Sequence, residues 1–114
     1  MTFVAFLSGS IATLSFLVLI VALPLAIRKV PPNNVYGFRT PKTMGDRKIW
    51  FDANAYAGKA MCVAAIAMFS FAGVVRGLAA TGIPKNGIIA IGIAVEILPV
   101  LVASWATFQY LKKL

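Results

Sequence analysis

The chain has 114 residues, of which 61% are hydrophobic and only 12% charged, whereas a soluble domain is about half apolar and a quarter charged. So few polar side chains cannot cover a water-facing surface, which excludes a soluble globular domain and leaves lipid as the main solvent. The formal net charge of +8 would suggest a nucleic-acid partner in a soluble protein, but six of the cations crowd into residues 28–48, a pattern of membrane orientation.

Phe3 to Ile27 carries no charge and is long enough to cross about 30 Å of hydrocarbon. It lacks the basic start of a signal peptide and is long for the apolar part of one. Further apolar runs cover about 57–80 and 88–110. Lipid offers no partner for unpaired backbone, and the alternation of a β-barrel is missing, so all three runs are predicted as helices. The fold class is therefore all-α, an integral membrane protein forming one membrane domain over 1–114. The short "TGIPKNG" link at 81–87 joins the last two spans.

The 28–48 loop holds Arg28, Lys29, Arg39, Lys42, Arg47 and Lys48, and Lys112 and Lys113 follow the third span. The other side has only Arg76 and Lys85. The positive-inside rule places the loop and the C-terminus in the cytoplasm and the N-terminus outside. Pro31 and Pro32 are expected to stop the first helix, Asn33 and Asn34 to make a turn, and Gly37 to make a second bend. Thr43 and Asp46 have the spacing of a capping box, which predicts a helix from near Met44. It would lie at the interface, with Lys48 and Asp52 paired four residues apart, then bend near Gly58 and continue across the membrane.

"PPN", "YGFRTPKT" and then Trp50, Asn54 and Gly58 resemble the signature of the SdpI/YfhL family of bacterial membrane proteins. The resemblance covers about Val30 to Lys59, and the three-span layout extends it. The family's namesake is an immunity protein that protects a toxin-producing cell and helps relay the toxin's presence to a cytoplasmic repressor. It has further spans before this region, so the chain reads as a minimal, single-module member in the bacterial cytoplasmic membrane. The resemblance implies protection or signalling by binding a toxin peptide, a lipid headgroup or a partner protein. Candidate binding residues in the motif are Asn33, Tyr36, Arg39, Thr40, Thr43, Trp50 and Asn54. Arg39 suits a carboxylate or phosphate held bidentately, or a structural role within the loop.

Glu96 lies about eight residues into the third span, roughly 12 Å deep at 1.5 Å per residue. An acid there is a functional candidate by default, and Pro99 frees the Val95 carbonyl nearby. The alternative is a neutral acid bonded to Ser10, Thr13 or Ser70 as glue between helices. Arg76 either pairs with Glu96 or snorkels to the interface. Gly73 and Gly77 form a GxxxG pattern that permits close contact within the chain or between copies, so a homo-oligomer stays open.

No phosphate loop, zinc-binding helix or nucleophile with a base is present, histidine is absent and the single cysteine, Cys62, lies in an apolar run. Neither catalysis nor a metal or other cofactor is expected. The function expected is a membrane binding module, and the alternative is a small oligomeric transporter or channel using Glu96. With Cys62 replaced by serine, Lys85→Cys should react with an impermeant thiol reagent on intact cells and Lys42→Cys should not; the reverse labelling would invert the topology.

Overall fold

The computed structural model describes residues 3–33 and 35–114, so Asn34 and any turn it makes lie outside the described residues. Four helices follow in order: α1 Phe3–Ala26, α2 Pro41–Met44, α3 Arg47–Ala79 and α4 Lys85–Leu111. Three of them are long and apolar enough to cross a membrane, and the protein is an all-α membrane protein. It is elongated, 53 × 23 × 19 Å. Large apolar side chains such as Phe6, Phe16, Phe69, Leu101 and Trp105 stand on the outside, as lipid requires and water would not permit.

Helix α3 is central: α1 and α4 both pack on it and touch each other little. Away from the loop, Ile11, Met68, Ala72, Val75 and Ile88 form the apolar core, with Leu7, Ile91 and Val95 against it. Toward the loop, Gly58 sets the crossing of α1 and α3. A Cβ there would stand 2.8 Å from the Ala22 carbonyl oxygen and closer still to the Ala26 amide nitrogen. The two backbones therefore meet with no side chain between them. Gly92 gives Leu7 similar room, its absent Cβ falling 2.7 Å from Leu7 Cδ2. By contrast, among the described residues nothing lies within 4 Å of a Cβ on Gly73 or Gly77, so the GxxxG pair makes no close crossing with them.

Three expectations about the segment between α1 and α3 need correction. The prolines at 31 and 32 do not stop α1. It closes three residues earlier, where the Lys29 amide donates to the Pro24 carbonyl and the Arg28 amide to Leu25. This is a Schellman closure, with Arg28 in the left-handed region at φ 60° where glycine is usual. Nor does α3 begin near Met44: Thr40 and Thr43 form the capping box of the short α2, and Asp46 is itself the N-cap of α3, accepting from the Lys48 and Ile49 amides. Finally, α3 is unbroken through Gly58 over 33 residues. The interfacial stretch is the first turns of the spanning helix, and Gly58 serves packing rather than bending.

Gly58→Ala should cost about 1–3 kcal/mol through overpacking, read as a lower unfolding midpoint in detergent. Gly73→Ala should be neutral or stabilising by up to about 1 kcal/mol. Equal losses at both would place the tight crossing elsewhere.

Candidate functional site: the loop at the end of α3

Trp50, Asn54 and Gly58 recur every four residues and so share one face of α3. Trp50 is fully buried, and its indole N–H donates to the Val30 carbonyl at 2.9 Å, holding the chain where it leaves α1. One turn on, the buried Asn54 amide holds Phe38 by both backbone groups. Oδ1 accepts from the Phe38 amide, and Nδ2 donates to the Phe38 carbonyl at 3.2 Å and to the Trp50 carbonyl at 2.9 Å. Gly37 bends the chain into this clamp with φ 120°. A Cβ there would fall 2.9 Å from Asn54 Oδ1 and 3.0 Å from the Trp50 ring, so both conformation and space require glycine.

The rest of the motif is equally committed. Asn33 Oδ1 accepts from the Val35 and Tyr36 amides, and its Nδ2 donates to the Pro31 and Tyr36 carbonyls. The Tyr36 hydroxyl donates to the Val21 carbonyl of α1, and burial pushes its phenol above the usual value. Thr43 is fully buried. Its hydroxyl accepts from the Thr40 amide at 2.7 Å and lies 3.1 Å from the Phe38 carbonyl, to which it donates. Lys42 donates to the Leu111 carbonyl at 2.9 Å, where a cation suits the negative end of α4. Phe38 meets Phe108 edge-on and Tyr56 stacks on Tyr110, so α4 is tied to the loop as well.

The structure thus brings Asn33, Tyr36, Thr40, Thr43, Trp50 and Asn54 together as the framework of the loop. Their polar atoms bond within the protein. The Arg39 side chain is exposed between Phe38 and Thr40. Beside the loop, Leu17, Val21, Leu25, Tyr36, Phe38 and Met61 line an apolar groove of about 400 Å3. A second cleft of about 500 Å3 is lined by Arg28, Arg47, Lys48 and Phe51. None of these four was among the sequence-derived candidates. The hint was the density of cations at both ends of the loop, and the fold was needed to join residue 28 to residues 47–51. Among the described residues no group of His, Cys, Asp and Glu is placed to hold a metal.

The intramembrane candidates do not assemble into one site. The Ser10 hydroxyl donates to Glu96 Oε1 at 2.9 Å, joining α1 to α4. Ser70 instead donates to Ile66 of its own helix at 2.9 Å. Arg76 is exposed, and among the described residues the ion pairs are those of Asp52 with Arg28 and Lys48.

A family model described as the SdpI/YfhL protein family matches residues 29–107. The chain is 36% identical over 45 residues to "Uncharacterized protein YfhL" of Bacillus subtilis (strain 168). That alignment covers 37% of this chain and 41% of the relative, so the chain spans about two-fifths of the relative it matches. No solved structure matches.

Asn54→Ala leaves the Phe38 amide without its partner, at a cost of about 1–3 kcal/mol. Amide exchange over residues 35–45 should accelerate at least tenfold while the apolar core around Met68 keeps its protection. Unchanged exchange in the loop would show that Asn54 does not hold it.

Proposed function

The chain belongs to the SdpI/YfhL family, and from that membership we propose that it is a protection or signalling protein of the bacterial cytoplasmic membrane. It acts by binding, through the 31–58 motif, and its loop end faces the cytoplasm, as the positive-inside rule favours. One observation carries this reading. The motif's polar residues are spent on a fixed loop conformation, and that loop carries the exposed Arg39 next in the chain to Phe38, which lines an apolar groove.

A fixed loop lowers the ordering cost of binding. A guanidinium provides five N–H donors in a planar fork suited to a carboxylate or phosphate. The groove beside it, walled by Leu17, Val21, Leu25 and Met61, suits an apolar chain or side chain. Together they fit a ligand with an anionic group next to an apolar one, such as the carboxyl end of an apolar toxin peptide. Transport through Glu96 is less favoured. The acid is bonded to one serine, Ser70 turns back on its own helix, and Glu96 lines neither of the two apolar cavities between the spans.

The test is survival of a sensitive bacterial host challenged with membrane-active peptide toxins, with the full chain as the only protective protein. Arg39→Lys should abolish protection at unchanged membrane level, because an ammonium does not reproduce the planar fork. Glu96→Gln, which keeps the hydrogen bonding of a protonated acid, should protect as the wild type does. A fully active Arg39→Lys together with a dead Glu96→Gln would move the site into the membrane and replace binding by transport.

A further inference from the structure

The cleft between the end of α1 and the start of α3 is a charged site that the preceding reading does not use. Arg28 and Lys48 both hold Asp52, at 3.0 and 2.7 Å. Arg47 lies over the Phe51 ring, 5.2 Å from its centroid. The walls of the cleft therefore carry three cations with a single carboxylate behind them. The balance is a surplus of two positive charges about a cavity of about 500 Å3.

The Asp52 pairs also draw two of the cations to one side of the cleft. The Arg28 guanidinium reaches Asp52 through Nη1 alone, and Lys48 through one of its three protons, so both cations are anchored while retaining donors. Asp52 holds them about its two oxygens, and the ring of Phe51 holds Arg47 by its face, which leaves the donors on the edge of the guanidinium. We propose that this cleft binds a phosphate monoester as its dianion, presented either by a lipid headgroup or by a small soluble ester.

Charge selects the monoester. A phosphate monoester carries about −1.5 to −2 at pH 7, with a second pKa of about 6, and so balances the surplus, whereas a phosphodiester carries a single charge and leaves half of it. Guanidinium and ammonium donors are the groups that phosphate oxygens use. The cavity exceeds what a phosphate group fills, and Phe51 supplies an apolar wall for the carbon that bears the ester. Arg39 does not line the cleft, so this site and the protective role proposed for the loop stand or fall separately.

Native mass spectrometry of the full chain in neutral detergent, with added phosphatidate or phosphatidylglycerol of the same acyl chains, tests the assignment. Phosphatidate should bind at least tenfold more tightly at pH 7.5, and the preference should shrink at pH 5.5 as the dianion takes up a proton. Arg47→Gln should abolish the preference. It removes no hydrogen bond seen in the fold, so the variant should insert normally. Arg76→Gln, an equal charge change at the other end of α3, should retain the preference. Excess glycerol phosphate that displaces phosphatidate would identify a soluble ester as the ligand; failure to displace it would identify a lipid, and either result supports the cleft. Equal binding of the two lipids, or a preference that survives Arg47→Gln, would overturn it.

Discussion

A single side-chain amide governs the loop. When a chain leaves one spanning helix and turns back into the next, it passes through surroundings where unpaired backbone groups are costly. Asn54 meets that demand at Phe38, because a primary amide offers a donor and an acceptor side by side, as another strand of backbone would. Aspartate would accept but not donate, and leucine would do neither. The neighbouring constraints follow from this placement. Gly37 has no side chain because Asn54 and Trp50 occupy the space one would need. Thr43 shares the Phe38 carbonyl with Asn54, which positions α2. On the same stripe of α3, Gly58 lets α1 come close enough for the Val30 carbonyl to reach Trp50.

The acids are as fully committed as the amides. Of the three carboxylates in the sequence, Asp46 caps α3, Asp52 ties Arg28 to Lys48, and Glu96 accepts from Ser10. With three acids against six cations in residues 28–48 alone, the loop carries a net positive charge. Arg28 illustrates the cost of this arrangement. A left-handed non-glycine residue is strained by roughly 1–2 kcal/mol, and the ion pair with Asp52 offsets part of that.

The spans were legible in the sequence because apolar length is a local property: the runs at 3–27 and 88–110 overlie α1 and α4 closely, and 57–80 covers the later two-thirds of α3. The loop was legible as a structured element, with Asn33 and Gly37 in turns as their chemistry suggests. The boundaries within it were less so. Thr40, Thr43 and Asp46 stand three apart, and the pattern fits two overlapping caps, so the spacing alone did not show that Thr43 closes one cap and Asp46 opens another. Prolines 31 and 32 masked the Schellman turn because an arginine occupies the place where glycine usually signals one. Polar residues in a motif look alike whether they face a ligand or the interior. Burial separates them, setting Trp50, Asn54 and Thr43 inside and Arg39 outside. The cationic cleft joins residues on two helices, and no local pattern brings those together.

Because α3 is unbroken from Arg47 to Ala79, it behaves as a shaft rather than a hinge. Trp50 and Asn54 grip the loop directly from its surface, with no flexible linker between shaft and load. Torsion applied near Arg76, 22 residues and about 33 Å from Asn54 at 1.5 Å per residue, would reach the loop only by turning α3 against α1 and α4, which pack along it. A turn of 100° would carry Asn54 off Phe38 altogether, so the loop tolerates only small angles before it lets go. The clamp on Phe38 and the far end of α3 are therefore parts of one continuous helix.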